Sequence, residues 1–324
     1  MIYDDIRNFN KQFEYELRVE NAAKLKKFKK FLVVGMGGSH LAADLLKAWR
    51  PDFDIIVWSS YGLPPLRDIR ERLVIACSYS GKTEETIDSF NEAKRRRLSV
   101  AAVAAGGKLI GLARKYRAPY VEMPDMHMQP RLALGLMLKS FLKLMGENTA
   151  LKEANELAIT LRPSRHEAAG KAMAKRLYGS VPIIYSSLRN QAIAANWKVK
   201  LNETGKTPAF YNVLSEMNHN EMTGFDVKPR MEGLSRHFHF VFLKDAEDDI
   251  RIMRRMNIME KLFHDRGLKV EVIFLQGKTA LQKIFNAVNL ADWTAYYTAK
   301  LYGVDPEAVP MVEEFKRLVA RKQL

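Results

Sequence analysis

The stretch Phe31-Leu32-Val33-Val34-Gly35-Met36-Gly37-Gly38-Ser39 passes from an apolar run into a glycine-rich turn, and a helical pattern follows from about Ser39 to Trp49. A short unbroken apolar run reads as a strand buried on both faces. The same unit recurs on either side. Strands are expected at Ile55–Val57, Leu73–Cys77, Ser99–Ala104 and Tyr120–Glu122, with helices at about 83–97, in a short segment after Ala104, and at 131–146 and 150–161. Residues 3–29 read as one helix, because Phe9, Phe13 and Leu17 recur every four positions. Pro163 and Ser164 punctuate the chain, which places a domain boundary near 150–165. Beyond it a second series begins: a strand at Val181–Tyr185 with its proline near the start, a helix at Leu188–Leu201, a loop over 202–220, strands at His237–Leu243 and Val270–Leu275, each followed by a helix, and a terminal helix at 308–322. Short apolar strands alternating with helices predict an α/β protein with parallel sheets covered on both faces, built in two copies.

Composition narrows the functional classes. The chain has 324 residues, of which 47% are hydrophobic and 27% charged, which fits a globular protein of about two domains. Cys77 is the only cysteine, so an intrachain disulfide and a cysteine-rich zinc site are both excluded. No apolar run reaches the ~20 residues that span a bilayer, and the first twenty residues lack a signal-peptide core, so a cytoplasmic protein without a membrane partner is expected. The net charge of +15 is spread along the chain. Its densest runs, Lys26-Lys27-Phe28-Lys29-Lys30 and Lys94-Arg95-Arg96-Arg97, fall where helices end, and cations there complement the helix dipole. Nucleic-acid binding is not expected, since no aromatic-arginine cluster accompanies them.

Two turns carry chemistry. The Gly35–Ser39 turn lets backbone N–H groups approach an anion at a helix N-terminus. It is not a dinucleotide fingerprint: His40 stands where the third glycine would be, and Asp54 begins the second strand rather than ending it. The second turn, Ser78-Tyr79-Ser80-Gly81-Lys82-Thr83-Glu84-Glu85-Thr86, follows the strand ending at Cys77 and opens a helix. Helix capping accounts for one hydroxyl, that of Thr83. Ser78, Ser80 and Thr83 within six residues suit the oxygens of a phosphate monoester.

Together these two turns resemble the sugar isomerase (SIS) superfamily, whose domains bind phosphosugars in enzymes and in sensors. Lys82 stands where relatives often carry asparagine. The second half is more specific. Asn202-Glu203-Thr204-Gly205-Lys206-Thr207-Pro208-Ala209-Phe210 and Glu216-Met217-Asn218-His219-Asn220-Glu221 resemble the bifunctional phosphoglucose/phosphomannose isomerases. Arg131, in Gln129-Pro130-Arg131, and Gly303-Val304-Asp305-Pro306 fit the same family. Leu214-Ser215 departs from its usual proline, and the basic balance is not a family trait.

The resemblance implies two SIS-type domains, 1–155 and 156–324, each a mainly parallel sheet between helix layers in a three-layer αβα arrangement. It implies isomerisation of glucose 6-phosphate and mannose 6-phosphate to fructose 6-phosphate through a cis-enediol, without cofactor or metal. It places the substrate phosphate on Gly37, Gly38, Ser39, Ser78, Ser80 and Thr83. Glu203 would shuttle the proton between C2 and C1, Arg131 would stabilise the enediolate, and His219, from the neighbouring subunit of a homodimer, would open the ring. Lys316 on the last helix would be the C-terminal substrate lysine. Mannose 6-phosphate would need rotation about C2–C3. A non-catalytic phosphosugar sensor is the alternative.

These residue types suit the roles: a carboxylate can take and return one proton, imidazole exchanges protons near neutral pH, and guanidinium keeps its charge. Plainer readings stand beside them. Glu203 pairs with Lys206, His219 serves its loop, and Arg131 forms a salt bridge. His237 and His239 are ordinary strand residues, Cys77 is a core residue, and Glu84 and Glu85 serve the helix dipole. Glu216 or Glu221 would orient the His219 ring, a choice left open.

Overall fold

The computed structural model describes residues 2–320. The first half contains α1 (Ile2–Arg7), β1 (Lys30–Val34), α2 (Gly38–Trp49), β2 (Asp54–Trp58), β3 (Arg72–Cys77), α3 (Glu84–Arg95), β4 (Val100–Ala104), α4 (Gly107–Lys115), β5 (Tyr120–Glu122), α5 (Leu134–Met145) and α6 (Asn148–Thr160). The second half contains α7 (Glu167–Leu177), β6 (Val181–Ser187), α8 (Gln191–Glu203), β7 (Phe210–Leu214), α9 (Glu232–Ser235), β8 (Phe238–Lys244), α10 (Ile250–Asp265), β9 (Lys269–Phe274), α11 (Ala280–Tyr302) and α12 (Pro310–Ala320).

Two sheets form, in the orders β2-β1-β3-β4-β5 and β7-β6-β8-β9, and every pairing within them is parallel. Alternating side chains divide the apolar residues of each sheet between two faces. Val33, Ile75 and Val103 of the first sheet and Ile184, Val241 and Leu243 of the second share one core with α2, α5, α8 and α11. Leu32, Val74 and Ala102 pack outward with α3 and α4, and Phe240 and Phe242 pack outward with α10. Each sheet therefore lies between helix layers, as expected. At 23 residues, about 35 Å, α11 is the longest helix, and it stops at Gly303, whose φ of +67° ends it in a left-handed cap. Among the described residues no helix is long and apolar enough to cross a membrane.

Two sequence expectations need correction. The single helix over 3–29 does not form. After α1 the chain makes a 3-10 helix at Phe9–Phe13, extends, and bridges to β5 through Glu20 and Tyr120. Phe9 and Phe13 do lie on one face, but Leu17 reaches the core from extended chain. The Lys139 ammonium donates to the Phe13 and Tyr15 carbonyls, both at 2.6 Å, and so fixes the end of this turn. Residues 202–220 are not all loop: β7 lies inside them, an edge strand with exposed Phe210 and Tyr211. The expected terminal helix forms as α12, and positions 321 and 322 lie outside the described residues.

Candidate active site

In the first sheet β1 and β3 are neighbours whose connections depart in opposite directions, through α2 to β2 and through α3 to β4. Crevices at the carboxyl ends of such strands are where open α/β sheets bind ligands. The turn at 35–39 and the turn at 78–83 both open there. They are packed backbone to backbone: a Cβ on Gly35 would stand 2.8 Å from the Cys77 carbonyl oxygen. The Tyr79 N–H donates to Ser39 Oγ at 3.1 Å, joining the turns directly. Gly81, at φ +64°, has no room for a side chain, since a Cβ would lie 1.9 Å from the Gly106 carbonyl oxygen.

Within the second turn Ser78 Oγ and Thr83 Oγ1 are 2.8 Å apart, and Ser80 Oγ accepts from the Lys82 N–H at 3.3 Å. Thr83 is the N-cap of α3, yet its hydroxyl faces Ser78 and makes no cap hydrogen bond. Gly37 leaves α2 equally uncapped. Two helix N-termini thus keep uncapped N–H groups beside hydroxyls, an arrangement suited to a phosphate. Cys77 is fully buried, and burial pushes its thiol up, far from nucleophile character.

Arg131 is reached through Gly38. A Cβ on Gly38 would meet the Arg131 nitrogen at 2.7 Å, so the glycine brings the glycine-rich turn against the 3-10 turn Pro130–Leu132. The Arg131 side chain is 1% exposed, and every arm of its guanidinium is held. Nε donates to Thr204 Oγ1 at 2.7 Å, one terminal nitrogen to Gln129 Oε1 and Glu203 Oε2 at 3.2 Å each, and the other to the Pro306 carbonyl at 2.8 Å. Burial pulls the guanidinium below its ordinary value, and the Glu203 charge opposes that. Glu203 is the last residue of α8, and its side chain is about one third exposed, so its carboxylate reaches open space while resting on Arg131. Arg131 therefore does form the plain salt bridge that the sequence allowed, and its partner is Glu203. Lys206 does not pair with that carboxylate; its ammonium binds the main-chain carbonyls of Glu203 and Ala308.

A family model described as the bacterial phospho-glucose isomerase C-terminal SIS domain matches residues 166–319. The bifunctional phosphoglucose/phosphomannose isomerase of Aquifex aeolicus is 34% identical over 97% of this chain and 97% of its own. That of Caldicellulosiruptor bescii is 32% identical over 98% of each chain. The chain belongs to the bifunctional phosphoglucose/phosphomannose isomerase family. The fold agrees: the C-terminal domain of glucosamine-fructose-6-phosphate aminotransferase from Francisella tularensis superposes with a TM-score of 0.71 at 15% identity, covering 95% of this chain and 96% of that one.

Within this isomerase fold, two of the expected site residues stand apart from the Arg131–Glu203 pair. His219 ends the 3-10 helix Glu216–His219, is exposed, and has no side-chain partner among the described residues. Neither flanking carboxylate orients it: Glu221 accepts from Tyr185 and Asn212, at 2.5 Å each, and Glu216 from Asn220 at 3.0 Å. Lys316 lies on α12, whose side chains from Met311 to Val319 are all exposed. His237 precedes β8, while His239 is buried, lowered chiefly by burial, and 3.9 Å from Glu271.

The sequence reading missed the supports beneath the pair. Lys200, one helical turn before Glu203, is fully buried, and its ammonium meets the Arg131 carbonyl at 2.5 Å and Asp292 of α11 at 2.7 Å. Burial pushes the Lys200 pKa down and the Asp292 pKa up, and the attraction between them opposes both shifts. The only sequence signal was a lysine and an aspartate on the apolar faces of two helices, a pattern shared by many surface charges.

Proposed function

We propose that this chain interconverts glucose 6-phosphate and mannose 6-phosphate with fructose 6-phosphate by ring opening and a cis-enediol proton transfer. The carrying observation is the Arg131–Glu203 contact at 3.2 Å, built onto the glycine that also forms the phosphate turn. The substrate phosphate binds Ser39, Ser78, Ser80 and Thr83 with the N–H groups near Gly37 and Gly38. Glu203 takes the C2 proton and returns it to C1 on the same face. Negative charge growing on the enediolate oxygens falls beside Arg131, whose fixed position requires no reorganisation during the step.

Ring opening is assigned to His219 of a partner subunit in a homodimer. The exposure of His219 and its lack of a side-chain partner among the described residues support this assignment, as does the apolar surface of α12, with Met311, Phe315 and Leu318 exposed. Lys316 on that helix is proposed to contact substrate. The labour divides between residues 1–155, which hold phosphate, and 156–324, which move protons; the crossing falls within α6.

The test is a coupled assay of purified protein with each 6-phosphosugar in the presence of a chelator. Conversion among all three is expected. Binding of the sugars with no conversion would overturn the enzyme reading in favour of a sensor.

A further inference from the structure

The two basic runs play no part in the isomerase site. They come together at the opposite end of the first sheet, where β3 and β4 begin and just ahead of β5. A cavity of about 300 Å3 opens there, lined by Lys24, Lys26, Lys94 and Arg117 together with Ser99 and Tyr116. No carboxylate lines it. Three nearby acids are engaged elsewhere: Asp68 and Glu71 with Lys30 at 3.1 and 2.7 Å, and Glu92 with Arg96 at 3.1 Å. Among the described residues none of the four lining cations has a carboxylate within ion-pair distance.

Helix dipoles account for some of these charges, since α3 and α4 both end here. Two helix C-termini contribute roughly half a negative charge each, about one in total. Four cations line the cavity, so positive charge remains in excess. Moreover, Arg97 and Arg117 occupy left-handed positions, φ 55° and 49°, just past those helices, where glycine is the ordinary choice. Both arginines sit there against the backbone preference, and Arg117 lines the cavity.

We propose that this cavity binds a compact polyanion carrying two or more phosphate groups, at a site separate from that of the substrate phosphate. Its volume is at the lower end for small-molecule sites. A nucleobase is disfavoured as the anchor, because the exposed Tyr116 ring already carries the Lys94 and Lys115 ammonium groups at 5.3 and 5.6 Å from its centre. Such cations recruit phosphate oxygens and compete with a base for the ring. The α3 and α4 helices join this cavity to the substrate turn, since α3 starts after Thr83 and Gly107 of α4 packs on Ser80 and Gly81.

The test is calorimetric titration of the full chain with inorganic tripolyphosphate at low salt, with and without saturating fructose 6-phosphate. Binding is expected in both cases. A K26Q/K94Q/R117Q variant should bind at least about tenfold more weakly, a loss of about 1.4 kcal/mol, while isomerising at the wild-type rate. If that variant fails to fold, K26Q and K94Q singly should each weaken binding about threefold. No binding, affinity unchanged in these variants, or displacement by fructose 6-phosphate would overturn the proposal. Binding of single-stranded RNA without binding of tripolyphosphate would overturn it too.

Discussion

The carboxyl ends of β1 and β3 in the first sheet and of β6 and β8 in the second occupy matching places in sheets of matching order, β2-β1-β3-β4 against β7-β6-β8-β9. In the first sheet these ends carry glycines, hydroxyls and two uncapped helices. In the second the same places are filled by the protein's own side chains. Ser187 donates to Asp248 at 2.6 Å, Asn190 donates to both Asp245 and Asp248 at 3.2 Å, and the Lys283 ammonium pairs with Asp245 and Glu247, both at 2.7 Å. The α10 helix is capped by its own Asp249. A carboxylate thus lies where the first half presents the hydroxyls proposed to hold a phosphate. One architecture carries the proposed binding crevice and a plugged copy of it, and the contents of two loops make the difference.

Breaking each side should therefore have different consequences. Arg131 joins the crevice to Glu203, the proposed proton-transfer carboxylate, so R131K, which loses the planar fork, should lower kcat by about 100- to 1,000-fold in the coupled assay. Next comes the plug: K283M leaves Asp245 buried without its cation. It should cost about 3 kcal/mol in urea unfolding while KM stays at the wild-type value. In the crevice, S78A/T83A should raise KM for all three sugars about tenfold with the melting temperature little changed; an unchanged KM would show that these hydroxyls do not hold the phosphate.

The smallest effect concerns pH. Burial raises the Asp248 carboxyl above its ordinary value, so the native chain keeps a proton that the unfolded chain loses near pH 4. Its contribution to stability is full below that pH and is lost as pH rises through the raised value. D248N should flatten this part of the stability curve, and an unaltered curve would show that Asp248 is not its source.

Much of this was readable beforehand, for physical reasons. Fully buried strands such as Arg72–Cys77 and Val100–Ala104 announce themselves as apolar runs between turn residues. The β7 strand escaped notice because it is a short edge strand whose start, Phe210-Tyr211, is exposed, and Asn212 interrupts its apolar residues. The four-residue spacing of Phe9, Phe13 and Leu17 imitates a long helix, because extended chain can also present a leucine to the same core. Glu203, Arg131 and the hydroxyl turn stood out in the sequence because the chemistry proposed for them needs particular residue types at particular places. Lys200 and Asp292 were not, since their meaning comes only from the meeting of α8 and α11. The basic cavity was hidden for the same reason: its two halves are distant in sequence and adjacent only in the fold.

The account rests on Glu203 as the group that carries hydrogen between C2 and C1. The direct measurement is isomerisation and solvent deuterium incorporation into fructose 6-phosphate by E203Q, with binding of the sugar followed in parallel. The account predicts that binding persists while turnover and C1 exchange both fall to background. A variant that binds the sugar and still exchanges deuterium at the wild-type rate would contradict it.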